Sequence, residues 1–196
     1  VNRNKESVTI DFKTAEGRRL LDALIDRADV LVENFRPGTL ARQGLGYADV
    51  SATHPGLIYT SVSGFGQTGP RREEPGYDAV VQAEGGLMSI TGDADGPGYR
   101  LGVAIADITA GMFAAYGTSV ALFARRESGQ GQHIDVALLD SVAALLTYQA
   151  GIHFATGEAP KRMGNRHPTV TPYETFTAAD GEFVLVETIH RPFSYT

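Results

Sequence analysis

Short apolar runs and segments with helical spacing take turns along this chain. "SVTIDF" (7–12), "VLVENF" (30–35), "LIYTSVSGF" (57–65) and "QHIDVAL" (132–138) have strand length and are rich in β-branched residues. After the first of them, "TAEGRRLLDALIDRAD" (14–29) puts Leu20, Leu21, Leu24 and Ile25 on one stripe, with Thr14 as its N-cap. "PGTLARQGLG" (37–46) predicts a short helix opened by Pro37 and stopped near Gly44. Further helices are expected over 77–86, from Asp107 to the pair Arg125–Arg126, and over 140–155 with Asp140 as cap. Strands that alternate with helices predict an α/β fold around a parallel sheet with right-handed crossovers. The run 173–188 differs, reading as a hairpin around Asp180–Gly181. The change of character near 157–172 makes the best domain boundary, dividing 1–157 from a linker and the start of a second unit over 158–196.

Within this pattern one position stands out. "LGVAIADITAGMFAAYG" (101–117) carries a single charge, Asp107, and no further charge follows until Arg125. A carboxylate in apolar surroundings must be paired, used or wetted. The bland reading is an N-cap, which Asp favours. The functional reading is a desolvated, reactive carboxylate. The two are compatible. The uncharged run 108–124 is barely of membrane length and is broken by glycines and hydroxyls, so a buried helix is expected rather than a span.

Composition narrows the chemistry further. The chain of 196 residues carries a net charge of −6 with no Lys/Arg-rich run, so neither a nucleic acid nor an anionic membrane is an expected partner. It has no cysteine, which excludes disulfides, thiolate nucleophiles and cysteine zinc sites. Its five histidines show no ligand spacing, and no metal is expected. Both ends are abrupt, as in a piece of a longer protein.

Other stretches offer binding groups. Asn34, Phe35 and Arg36 follow a predicted parallel strand, where open α/β sheets bind ligands, and Arg36 with Arg42 suits a phosphate-bearing group. Two solvated arginines on a surface helix explain the pair equally well. In "PGYDAV", Asp78 as a helix cap and Tyr77 as a packing residue is the commoner outcome. "SGFGQTGP" lacks the Gly-Lys-Ser/Thr ending of a P-loop but can bring backbone close to a ligand.

In order along the chain, "NRNKESVTIDFKTAEG", "DVLVENFRPGTLARQGLGY", "LIYTSVSGFGQTGP", "PGYDAVVQAEGGLMSITG", "GVAIADITAG" and "GQGQHIDVALLDS" resemble the class III coenzyme A transferases, the CaiB/BaiF type that includes formyl-CoA and succinyl-CoA:dicarboxylate transferases. The resemblance implies an open Rossmann-like large domain, joined to a smaller α+β domain in an interlocked homodimer, of which about half is present. It implies a CoA-transferase with Asp107 as nucleophile, and with Ile10, Lys13, Asn34, Phe35, Arg36, Arg42, Tyr77 and Asp78 as coenzyme A contacts. Coenzyme A and acyl-CoA enter as substrates, a small carboxylic acid is the other partner, and no tightly bound cofactor is implied. The expected location is the cytoplasm, or the mitochondrial matrix in a eukaryote. The family's early glutamine and the formyl-CoA enzymes' glycine-rich loop have no counterpart here. The related α-methylacyl-CoA racemases pair the aspartate with a histidine in "GHD", where this chain has "GYD"; a phenol, whose reference pKa in model peptides is ~10, suits α-proton transfer poorly, and Tyr77 favours the transferase. A non-catalytic CoA-binding homologue is the third alternative, and the intact aspartate speaks against it. The loops look more like the succinyl-CoA:dicarboxylate branch, with Arg166 and His167 as candidate contacts for the acceptor carboxylate.

Overall fold

The computed structural model describes residues 2–181 and 183–187. Three strands, β1 (Val30–Glu33), β2 (Ile58–Ser63) and β3 (His133–Ala137), form a parallel sheet in the order β1-β2-β3. The crossover from β1 to β2 carries a 3-10 turn (Ala41–Gln43) and helix α2 (Tyr47–Thr53). The longer crossover to β3 carries α3 (Asp78–Glu84), α4 (Leu87–Ile90) and the 24-residue α5 (Ile105–Ser128). Helix α1 (Ala15–Ile25) precedes the sheet, while α6 (Leu138–Leu145) and α7 (Thr147–Thr156) follow it. An antiparallel pair, β4 (Tyr173–Thr177) with β5 (Phe183–Glu187), closes the described chain, as its alternating residues and Asp180–Gly181 turn predict.

Each face of the sheet has its own core. Alternate residues of β2 point to opposite sides. Thr60 hydrogen-bonds Thr118 on α5 at 2.8 Å, and Val62 packs against a cluster of Val81, Ala106, Ala110, Val136 and Val142. Tyr59 faces the other way, into a cluster of Ile25, Leu45, Val50 and Leu57. Its hydroxyl donates to the Leu45 carbonyl at 2.8 Å, and burial, with Glu33 and Asp49 nearby, pushes its pKa up to about 12.

Several expectations are corrected. Residues 7–12 form no strand: β1 is the sheet's edge, no ladder reaches that segment, and Val8 stands exposed. Apolar alternation cannot make a strand without a partner to hydrogen-bond. Thr14 does cap α1, its hydroxyl accepting from the Gly17 amide at 3.0 Å, but Leu20 and Leu24 of the apolar stripe are exposed. The helix expected over 37–46 shrinks to the 3-10 turn, ended by the left-handed Gly44. The helix expected over 140–155 breaks at Leu146–Thr147, and Asp140 lies inside the first turn of α6 rather than at its cap. Nor is α5 buried all round. Ile108, Met112, Tyr116, Val120 and Phe123 form one apolar face that is exposed, from 48% at Ile108 to 69% at Phe123. By length and composition α5 could cross a membrane; here its other face packs on β2, β3, α3 and α6.

Candidate active site

The carboxyl ends of the three strands meet a cavity of about 610 Å3, within the usual range for small-molecule sites. Each wall comes from a different element. Asn34, Phe35 and Arg36 follow β1, Ser63 ends β2 with Gly64 after it, and Leu138 follows β3. Tyr77 and Asp78 come from the start of α3, and Asp107 from the first turn of α5. This is the crevice where open α/β sheets place their ligands.

Two local devices shape it. The Asn34 side-chain amide donates to the Val62 carbonyl at 2.7 Å, and the Phe35 N–H donates to the Glu33 carboxylate at 2.8 Å, fixing the turn after β1. Gly64 and Gly76 cross in near contact, so that a Cβ on either would lie 2.5 or 2.4 Å from the other's Cα. Only two glycines allow that approach. The loop between them is tied down along its length. Asp135 accepts from the Gln67 N–H at 3.0 and 3.1 Å, and Arg71 stacks over Phe65 while pairing with Glu74 and Glu84.

Asp107 is not the N-cap of its helix. The cap is Ala104, which offers no side-chain acceptor. Instead Asp78, from the start of α3, serves α5: its Oδ1 accepts the Ala106 N–H at 2.9 Å. Its Oδ2 accepts from Gln82 Nε2 at 2.7 Å, and Gln82 Oε1 accepts the Leu101 N–H at 2.9 Å. Tyr77, not Asp78, holds the N-cap position of α3. With the capping done elsewhere, the Asp107 carboxylate makes no hydrogen bond among the described residues and is left facing the cavity. Desolvation, and then the nearby Asp78 charge, raise its pKa above the ordinary aspartate value. A carboxylate that is unbonded, partly desolvated and open to a ligand-sized cavity has the properties of a nucleophile or a base.

Six of the nine residues predicted for the site thus come together: Asn34, Phe35, Arg36, Tyr77, Asp78 and Asp107. Three lie outside the cavity. Arg42 sits on the 3-10 turn with its guanidinium on Thr39 Oγ1, and Ile10 and Lys13 belong to the segment before α1. Arg166 and His167 line a separate hollow beside Tyr148 and Tyr173. Gln82, Gly64 with Gly76, and Asp135 escaped the sequence reading. No cluster of three His, Asp or Glu side chains able to hold a metal ion exists among the described residues.

The sequence model of CoA-transferase family III matches residues 1–194. The chain belongs to this family. It is 45% identical over 186 residues to an acetyl-CoA:oxalate CoA-transferase of Acetobacter aceti, covering 94% of this chain and 48% of that protein. It is 46% identical over 184 residues to a succinate–glutarate CoA-transferase of Agrobacterium fabrum, covering 94% and 46%. A solved CaiB/BaiF family protein from Brucella suis superposes with a TM-score of 0.88 at 45% identity, over 95% of this chain and 49% of that one. This family III chain therefore spans about half the length of the relatives it matches. Identity does not separate an oxalate branch from a glutarate branch, since the two differ by one percentage point.

Proposed function

We propose that the complete protein moves coenzyme A from a short acyl-CoA, such as succinyl-CoA, to a carboxylic acid, with Asp107 as the acyl-accepting nucleophile. The observation that carries this reading is the Asp107 carboxylate, unbonded and facing the cavity while Asp78 caps its helix. Its oxygen attacks the donor thioester carbonyl, and the C–S bond breaks to give an acyl-aspartyl anhydride and CoA thiolate. The thiolate then attacks the aspartyl carbonyl, expelling the donor acid and leaving an aspartyl-CoA thioester. The acceptor carboxylate attacks that carbonyl, forming a second anhydride and releasing the thiolate again. Attack of the thiolate on the acceptor's acyl carbonyl gives the new acyl-CoA and restores Asp107. No water and no oxidant enters, so the thioester free energy is kept through the exchange.

Asn34, Phe35 and Arg36 form the wall on which coenzyme A would lie, with Arg42, Lys13 and Ile10 reaching its outer part. The acceptor is a small acid: the two relatives' names carry oxalate and glutarate, which supports a dicarboxylate. A second copy of the chain would cover the exposed apolar face of α5. The α-methylacyl-CoA racemase reading needs a histidine as proton partner, and none lines the cavity among the described residues. Asp107→Ala in the complete protein is expected to abolish CoA exchange between succinyl-CoA and a dicarboxylic acid while the fold is kept. Hydroxylamine added during turnover should mark Asp107, read by peptide mass. Full activity in the variant, or a label elsewhere, refutes the assignment.

A further inference from the structure

Gln82 has no place in the chemistry above, yet its side chain is completely buried and both ends of its amide are engaged. No ligand can reach it. What it touches is the segment that delivers the nucleophile. Leu101 N–H donates to Gln82 Oε1, Gln82 Nε2 donates to Asp78 Oδ2, and Asp78 Oδ1 receives the Ala106 N–H, one residue before Asp107. The strap from Leu101 to Ala106 is thereby held at both ends by one amide–carboxylate pair. We propose that Gln82 is a positioning residue for Asp107, acting through Asp78. This rests on the reading of Asp107 as the acyl acceptor.

The chemistry of the amide explains why this residue type is needed. The link requires a donor facing a carboxylate and an acceptor facing a backbone N–H, and a side-chain amide supplies both. The i,i+4 spacing of Asp78 and Gln82 on α3 brings their side chains together without a bend in the helix. A carboxylate that loses the charge-assisted bond from Gln82 is free to rotate away from the Ala106 N–H, which removes the cap from α5. The charged and titratable groups around the cavity are Asp78 on α3, Asp107 on α5, Tyr77 and Glu74 before α3, and Arg36 after β1. Of these, only Asp78 is bonded to Gln82.

The test compares Gln82→Met, Gln82→Glu, Asp78→Asn and the double variant Gln82→Met/Asp78→Asn in the complete protein. Methionine keeps the bulk and loses both bonds. Gln82→Met is expected to lower kcat roughly 10- to 100-fold, the effect of misplacing a reacting group by about an ångström, with the KM for acyl-CoA unchanged. In the Asp78→Asn background the same change should cost clearly less than in the wild type, because the Gln82–Asp78 bond is already weakened there and only the Leu101 bond remains to be lost. Gln82→Glu keeps the acceptor for Leu101 and the shape of the site, so it carries the test even where the methionine variant fails to fold. Measured against wild type at the same pH, it should be impaired at neutral pH and less so as the pH falls, when a protonated carboxyl can again donate to Asp78. An unchanged kcat in Gln82→Met, a loss seated in KM, additive losses in the double variant, or a Gln82→Glu to wild-type activity ratio that does not rise as the pH falls overturns the inference. Hydroxylamine labelling of the wild type separates the two layers. No label at Asp107 sinks the nucleophile reading itself, whereas a label with normal kcat in Gln82→Met sinks only the role of Gln82.

Discussion

Gly76→Ala tests whether the cavity depends on the crossing of two glycines. An added Cβ would sit 2.4 Å from the Gly64 Cα and 3.2 Å from its carbonyl carbon. Carbon atoms without a bond between them rest ~3.5–4.0 Å apart, so the two backbones must part by roughly 1.1–1.6 Å. Neither contact is a side chain that could rotate away. Gly64 is anchored at the end of β2 and accepts the Leu139 N–H at 3.1 Å, so the displacement falls mainly on Gly76. Tyr77 and Asp78 follow directly, and with them the cap on α5. Overpacking of this kind costs about 1–3 kcal/mol, and a shift of about 1 Å at reacting groups lowers the rate roughly 100-fold. Urea unfolding and steady-state CoA transfer in the complete protein measure the two effects. Gly64→Ala should behave alike, since its Cβ would lie 2.5 Å from the Gly76 Cα. Gly151→Ala, in α7 with nothing within 4 Å, is the control and should gain roughly 0.5–1 kcal/mol of stability. Wild-type stability and kcat in Gly76→Ala would show that the crossing does not shape the site.

Two further outcomes follow from the same geometry. The raised pKa of Asp107 means that the folded protein holds this proton to higher pH than the unfolded chain does, so its contribution to stability is present below pH ~4 and lost as pH rises through the folded pKa. The α5 dipole opposes this, but desolvation and Asp78 outweigh it. Asp107→Asn should therefore be more stable than wild type at pH 7 and equal to it near pH 3.5; an equal or lower urea midpoint at pH 7 contradicts the direction of the shift. Ile58→Ala, at a fully buried position in the central strand, should cost about 2–5 kcal/mol in urea unfolding, and a loss below about 1 kcal/mol would mean that β2 is not the packed centre of the sheet.

The sheet and the place of the cavity could be read from the sequence because both depend on local signals. Short apolar runs separated by helical spacing define β1, β2 and β3, and a parallel sheet puts Asn34 to Arg36 at its carboxyl edge, beside the cavity, without any long-range information. What escaped depends on partners distant in the chain. Residues 7–12 carry a strand pattern with no ladder to join, and the apolar stripe of α5 says nothing of which side meets the sheet. The same limit governs Asp107. An aspartate one turn into an apolar helix looks like its own cap, and the bond that contradicts this comes from Asp78, 28 residues before the amide it accepts. That difference bears on chemistry. A capping carboxylate spends an oxygen on its own backbone and has its charge held by that bond, which lowers its pKa and its nucleophilicity. Moving the cap to Asp78 reverses both effects at once: the helix end is satisfied, the second carboxylate disfavours the ionised form of Asp107, and both Asp107 oxygens remain for a substrate. A pair of aspartates with divided duties thus leaves a carboxylate at the start of a packed helix free for the role proposed for it.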